Sequence, residues 1–226
     1  MRWNPEGRLL PASRPTYNSP CAPGIVSLLW PVMRKWLAIA AEHLNRWEAN
    51  AVAATGLPAD PPDPAVTVLT TVAQGGGLWL AIAAALATRR GRARRAARDG
   101  IIAVAVASGS CHVIKRWLPR RRPAVKHLPA RQALALKPTS LAFPSAHSAT
   151  AVAFTTAIAC ENPTAGLMVA PLAMAVAYSR IRTWAHWPSD VVAGALWGIA
   201  VGVAIRRLLR LPAAADSIPN RPFLQG

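Results

Sequence analysis

Arg180, His186 and Asp190 stand in one hydrophilic break, YSRIRTWAHWPSDVVAG from Tyr178 to Gly194, between two apolar runs. They supply a cation, a nucleophile or base, and an orienting carboxylate. Pro188 suits the first turn of the helix that continues through Val191, because its missing N–H costs nothing there. Asp190 then lies in that first turn, favoured by the helix dipole, with His186 just outside it. A carboxylate at that offset can hold one imidazole nitrogen and leave the other aimed at a substrate.

Two further stretches add to this set. Lys115 to Pro123 reads KRWLPRRRP. Lys115 falls in the last turn of a helix, where the dipole favours a cation and the side chain can snorkel to headgroup level. Arg122 follows in proline-stiffened backbone, and the two together suit a phosphate clamp, with a point charge from lysine and a planar fork from arginine. Phe143 to His147 reads FPSAH and opens another apolar run. Pro144 fits a first helical position, which would leave the N–H groups of Ser145, Ala146 and His147 unpaired, and such donors bind anions. His147 adds a proton donor beside them. The inventory is three cations, backbone donors, two histidines and one carboxylate. It suits a phosphate ester, with the charges stabilising the transition state and histidine as the natural nucleophile. A metal site has little to stand on with a single carboxylate, and no cofactor is expected.

The elements that must position these groups read as membrane helices. Of the 226 residues 53% are hydrophobic and 15% charged. Ala65 to Thr88, Ser148 to Cys160, Ala165 to Ile181 and Val191 to Ile205 approach the roughly 20 residues needed to cross a hydrocarbon core, and Ile101 to Leu118 is a weaker fifth. Gly75-Gly76-Gly77 in the first span is expected to allow close helix packing. Residues 25–55 carry apolar positions at helical spacing, but Arg34, Lys35, Glu42, Arg46 and Glu48 interrupt them. This is an amphipathic interfacial helix or a weak first span, and the interfacial placement is preferred. Residues 1–24 contain five prolines and no apolar core, and read as a disordered tail; residues 212–226 read as a second one. GLPADPPDP from Gly56 to Pro64 is a turn that no helix crosses. Residues 65–211 form the expected catalytic domain.

The six arginines from Arg89 to Arg98, read as a connection, and those of Arg206 to Arg210 lie at the ends of apolar runs. The positive-inside rule puts such runs in the cytoplasm. That accounts for the formal charge of +17 without nucleic acid, for which no motif is present. By counting spans, all three polar stretches reach one membrane face. The loop from Ala124 to Ala142 brings Lys126, Arg131 and Lys137 to the side that the rule leaves poor in charge. They are read as facing anionic headgroups or substrate, and an inverted topology stays open. Cys21, Cys111 and Cys160 are too few and too scattered for a disulfide framework or a zinc site. His43, His112 and His127 read as interface or packing residues.

The three stretches, in this order, resemble the signatures of the type 2 phosphatidic acid phosphatase (PAP2) and haloperoxidase superfamily: K-x6-RP as Lys115 to Pro123, PSGH as Pro144 to His147, and SR-x5-H-x3-D as Ser179 to Asp190. The resemblance implies an all-α polytopic membrane bundle of five to six transmembrane helices, with its site facing out of the cytoplasm of a bacterial inner membrane. It implies a lipid phosphate or diphosphate as substrate. By position, His186 attacks phosphorus and forms a phosphohistidine, Asp190 orients its ring, and His147 protonates the leaving alkoxide and then activates water. Lys115, Arg122 and Arg180 bind the phosphoryl oxygens, helped by Ser145 and the amide of Ala146. The chain departs from the pattern at Ala146, where the family has glycine. A vanadate-dependent haloperoxidase shares the motifs but is soluble, against the apolar runs here. A catalytically silent lipid-binding or scaffolding protein is the alternative from another class. Neither the particular lipid nor the oligomeric state is readable.

Overall fold

The computed structural model describes residues 25–54, 64–118, 120–123 and 140–210. Both expected tails, most of the Gly56 to Pro64 turn, Lys126, His127, Arg131 and Lys137 lie outside them. Among the described residues there are seven α-helices and no strand. They are α1 (Ile25–Ala54), α2 (Pro64–Val72), α3 (Gly77–Ala87), α4 (Arg92–Trp117), α5 (Ala146–Glu161), α6 (Pro163–Arg182) and α7 (Pro188–Leu208). The chain divides into two compact units, Met1–Leu37 and Ala38–Gly226, and the second contains the remainder of α1 and every other helix.

The second unit is built around α5, which packs against α4, α6 and α7. Its Ala149, Ala153, Phe154, Ala157 and Ile158 are fully buried. Small side chains let helix axes approach closely where lipid offers no hydrophobic drive to associate. The matching surface on α7 is a row of glycines one turn apart. A Cβ on Gly194 would collide with the Ser145 carbonyl oxygen, and one on Gly198 would come within 2.5 Å of the Ala149 oxygen. These glycines do what was expected of Gly75 to Gly77. The latter meet nothing within 4 Å, and Gly75 and Gly76 adopt φ of 72° and 81° instead. Two successive left-handed residues, strained for any side chain, break the expected first span into α2 and α3, bent by 57°.

By length and composition α4, α6 and α7 can cross a membrane, and the bent α2–α3 pair brings the count to four when it is taken as one broken span rather than a re-entrant loop. The five to six spans expected exceed this count for two reasons. Charges interrupt α1, and α5 has only 16 residues. The arginine-rich run is also not a connection. α4 begins at Arg92, and its first turns bury Asp99. Arg98 and Arg206 pair with Asp99 at 2.8 and 3.4 Å. Glu161, at the end of α5, accepts from Arg95 at 2.7 Å and Arg210 at 3.2 Å, and from Arg206. These ion pairs tie α4, α5 and α7 together at one end of the bundle.

Candidate active site

At the opposite end α4 finishes, α5 starts, α6 finishes and α7 starts, so all three polar stretches meet there. Ser145, fully buried, caps α5: its hydroxyl accepts from the Ser148 hydroxyl at 3.0 Å and faces the Ser148 N–H at 3.4 Å. The helix therefore begins at Ala146, two residues after Pro144, whose peptide bond with Phe143 is cis. This corrects the expectation that Pro144 opens the helix. The Ser145 N–H is not free either, since it donates to the Asp190 carbonyl at 3.0 Å and so joins α5 to α7. Ala146 and His147 keep first-turn amides. Ala146 sits in helix, and among the described residues only Trp184 is a non-glycine with positive φ. Its methyl group therefore causes no backbone strain.

His186 is held at the start of α7. Its N–H and that of Ala185 both donate to the Arg180 carbonyl at 3.1 Å, closing the turn after α6. The Arg122 guanidinium donates to the Ala185 and Ser140 carbonyls and places Nη1 3.2 Å from His186 Nε2. A guanidinium can only donate, so Nε2 carries the lone pair and Nδ1 the proton of the neutral ring. Asp190 Oδ2 faces Nδ1 at 3.6 Å, longer than a hydrogen bond, and Nδ1 is buried without another partner among the described residues. Burial pushes His186 down from 6.5 to about 4, with Arg122 and Lys115 adding to the fall and Asp190 opposing it. The ring is therefore neutral at pH 7. Burial also lowers Arg122 from its ordinary value, and Asp190 offsets part of that.

The remaining expected residues gather around this pair. Lys115, nearly buried, donates to the Leu141 carbonyl at 2.7 Å. Arg180, 3% exposed, donates to Ser179 Oγ at 3.2 Å. Its Nη2 is buried without a partner among the described residues. His147 has Arg180, His186, Arg122 and Lys115 as its electrostatic neighbours. Three cations, a neutral imidazole whose Nε2 lone pair faces Arg122, and a second histidine thus converge at one helix start. Such a set can hold a phosphoryl dianion and deliver a nitrogen nucleophile to it. Among the described residues, no three His, Cys, Asp or Glu side chains are grouped so as to hold a metal ion.

Sequence reasoning missed the support of Asp190. Arg120, 4% exposed, donates to Asp190 Oδ1 at 2.7 Å, to Ser189 Oγ at 2.5 Å and to Asn45 Oδ1 at 2.8 Å, and it pairs with Glu48. Its guanidinium carbon lies 5.8 Å from the centre of the Trp187 ring. Glu48 also accepts from the Ser189 N–H at 2.7 Å and hydroxyl at 2.9 Å. Asp190 Oδ2 accepts from the Trp187 N–H at 3.0 Å. The site region therefore holds a second carboxylate, contributed by α1, where one was expected. Arg120 lies inside the Lys115 to Pro123 stretch, and the only available signal was the unbroken run Arg120-Arg121-Arg122 there. Glu48 gave none.

The model of the PAP2 superfamily matches residues 97–211. The chain is similar to a decaprenylphosphoryl-5-phosphoribose phosphatase of Mycobacterium tuberculosis (strain CDC 1551 / Oshkosh), with 37% identity over 135 residues, which are 58% of this chain and 70% of that one. It is also similar to a protein of the same name from Mycolicibacterium smegmatis, with 35% identity over 118 residues, 51% of this chain and 62% of that one. Among solved structures, a transmembrane PAP2 type phosphatidylglycerolphosphate phosphatase from Bacillus subtilis superposes with a TM-score of 0.57 at 17% identity, covering 83% of this chain and 96% of that one. That likeness is one of fold.

Proposed function

Because the chain belongs to the PAP2 superfamily, we propose that it is a metal-independent lipid phosphatase working through a phosphohistidine at His186. The observation that carries this reading is the His186 ring, neutral and with Nε2 set 3.2 Å from Arg122. In the first step the Nε2 lone pair forms a bond to phosphorus while the bond from phosphorus to the ester oxygen breaks, and His147 gives that oxygen its proton. In the second step His147 takes a proton from water, the water oxygen bonds to phosphorus, and the P–N bond breaks to release phosphate. Asp190 holds Nδ1–H as the ring becomes charged. Lys115, Arg122, Arg180 and the amide of Ala146 stabilise the phosphoryl oxygens. The unpartnered Arg180 Nη2 supports that role. Ser145 acts by positioning, since its hydroxyl caps α5.

Bacterial relatives and the arginine-rich end of the bundle support an inner-membrane protein with its site on the extracytoplasmic side. The two mycobacterial relatives, named for a prenyl-linked sugar phosphate, favour that kind of substrate over phosphatidate. α1 runs along the interface, with Glu48 anchoring it at the site. The test is phosphate release by detergent-purified protein from phosphatidate, farnesyl phosphate, farnesyl diphosphate and a prenyl-linked 5-phosphopentose, with chelator present. Turnover that persists in chelator, is lost in His186→Ala and leaves an acid-labile phosphoenzyme after quenching supports the proposal. Turnover that needs added metal, or that survives His186→Ala, refutes it.

A further inference from the structure

A cavity of about 250 Å³ opens beside His147, on a lining that includes none of Lys115, Arg122, Arg180 or His186. Gly75 and Gly76 of the α2–α3 elbow, Ser108 and His112 of α4, and His147 and Thr150 of α5 line it. His147 thus borders both this cavity and, through its electrostatic neighbours, the cation cluster. A group that protonates the leaving oxygen must stand between the phosphoryl group and the alcohol that departs. Because His147 borders it, this cavity is the candidate space for that alcohol.

Its polar groups are specific in kind. His112 Nδ1 lies 2.7 Å from the Ser108 carbonyl, one turn earlier in α4. A carbonyl only accepts, so Nδ1 carries the proton and Nε2 of the neutral ring is an acceptor with no protein donor among the described residues. The Ser108 hydroxyl, half-buried, has no partner either among the described residues. Acyl esters offer acceptors alone and a prenyl chain offers nothing, so neither brings a donor to Nε2 of the exposed His112 ring. A polyol both donates and accepts.

We propose that this cavity binds a hydroxylated, sugar-like leaving group, with Ser108 and His112 as the residues that select it. The assignment rests on the histidine phosphatase reading above, and it departs from the expectation that His112 is an interface or packing residue. The test compares a prenyl-linked 5-phosphopentose with its 2,3-dideoxy analogue on the full chain in detergent. Wild type is expected to prefer the hydroxylated substrate by about tenfold in kcat/KM, the scale of one or two satisfied hydrogen bonds. Ser108→Ala and His112→Phe bring the ratio toward one, and His112→Gln, which restores an acceptor, recovers part of it. Equal rates on the two substrates in wild type overturn the proposal, as do variants that keep the wild-type ratio. Turnover that requires His186 but ignores the hydroxyls removes the cavity assignment and leaves the phosphatase. No turnover on any lipid phosphate removes both.

Discussion

Replacing Arg120 with methionine takes away a buried cation while leaving Glu48 and Asp190 in place. Both carboxylates are nearly or fully buried, so solvent does little to screen the loss. Breaking a buried pair by removing one partner costs about 3–5 kcal/mol, which for a chain of this size lowers the apparent Tm by roughly 10 °C. Asp190 keeps its bond to the Trp187 N–H but loses the one that fixes Oδ1. Its hold on the His186 ring loosens, and misplacement on the scale of 1 Å costs about a hundredfold in kcat. Stability and activity then separate in the double variant Arg120→Met/Glu48→Gln. Neutralising Glu48 removes one of the two stranded charges and recovers about 1–2 kcal/mol, whereas Asp190 is still unsupported and kcat stays low. Tryptophan-fluorescence melting and phosphate release, measured on the same detergent preparations, check both halves. A single variant within about 1 kcal/mol and threefold of wild type refutes the account, and so does a double variant no more stable than the single.

Further outcomes follow from the same geometry. On the proposed mechanism His186 attacks in its neutral form while His147 must carry the proton it gives away, so kcat/KM rises as pH falls from 7 and turns down again once His186 takes up its own proton at about 4. The fold takes up that proton less readily than the unfolded chain, so apparent Tm falls as pH drops from about 6.5 toward 4; the fall is smaller in His186→Phe, and melting curves across that range test it. Ala146→Gly leaves kcat within about threefold, because the helical backbone there asks for no positive φ, and it costs at most about 1 kcal/mol of stability; restored or greatly increased turnover contradicts this. A cysteine placed at Ile39 and treated with a membrane-impermeant maleimide in intact vesicles is labelled if α1 lies along the interface, and protection equal to that of a mid-span α7 position counts against it.

The gathering of the expected site residues was legible because each polar stretch borders an apolar run. Four successive helices whose ends alternate must bring Lys115, Ser145, Arg180 and His186 to one end. The break at Gly75 and Gly76 was not legible, since a glycine run between apolar residues reads equally as a close contact or as a kink. Only the empty space around those glycines decides. The arginine run was legible only in part. Arg95, Arg98 and Arg206 read as membrane flanks, but nothing local shows that Asp99 and Glu161 pair between them. Glu48 looked like an interruption of an amphipathic face, and its partners lie about seventy and more than a hundred positions away in the chain. No local pattern encodes a pairing at that separation.

The shortness of α5 sets how deep the chemistry lies. Its 16 residues rise about 24 Å, some 6 Å less than a hydrocarbon core of about 30 Å. Were Glu161 and its arginines seated in one headgroup layer, the amides of Ala146 and His147 would stop short of the other. On that placement a lipid phosphate would have to sink toward the acyl region to be cleaved, drawn down by cations on a locally thinned bilayer. Its tail never leaves the membrane, and the newly freed alcohol, having lost its charge, no longer has that pull holding it at depth.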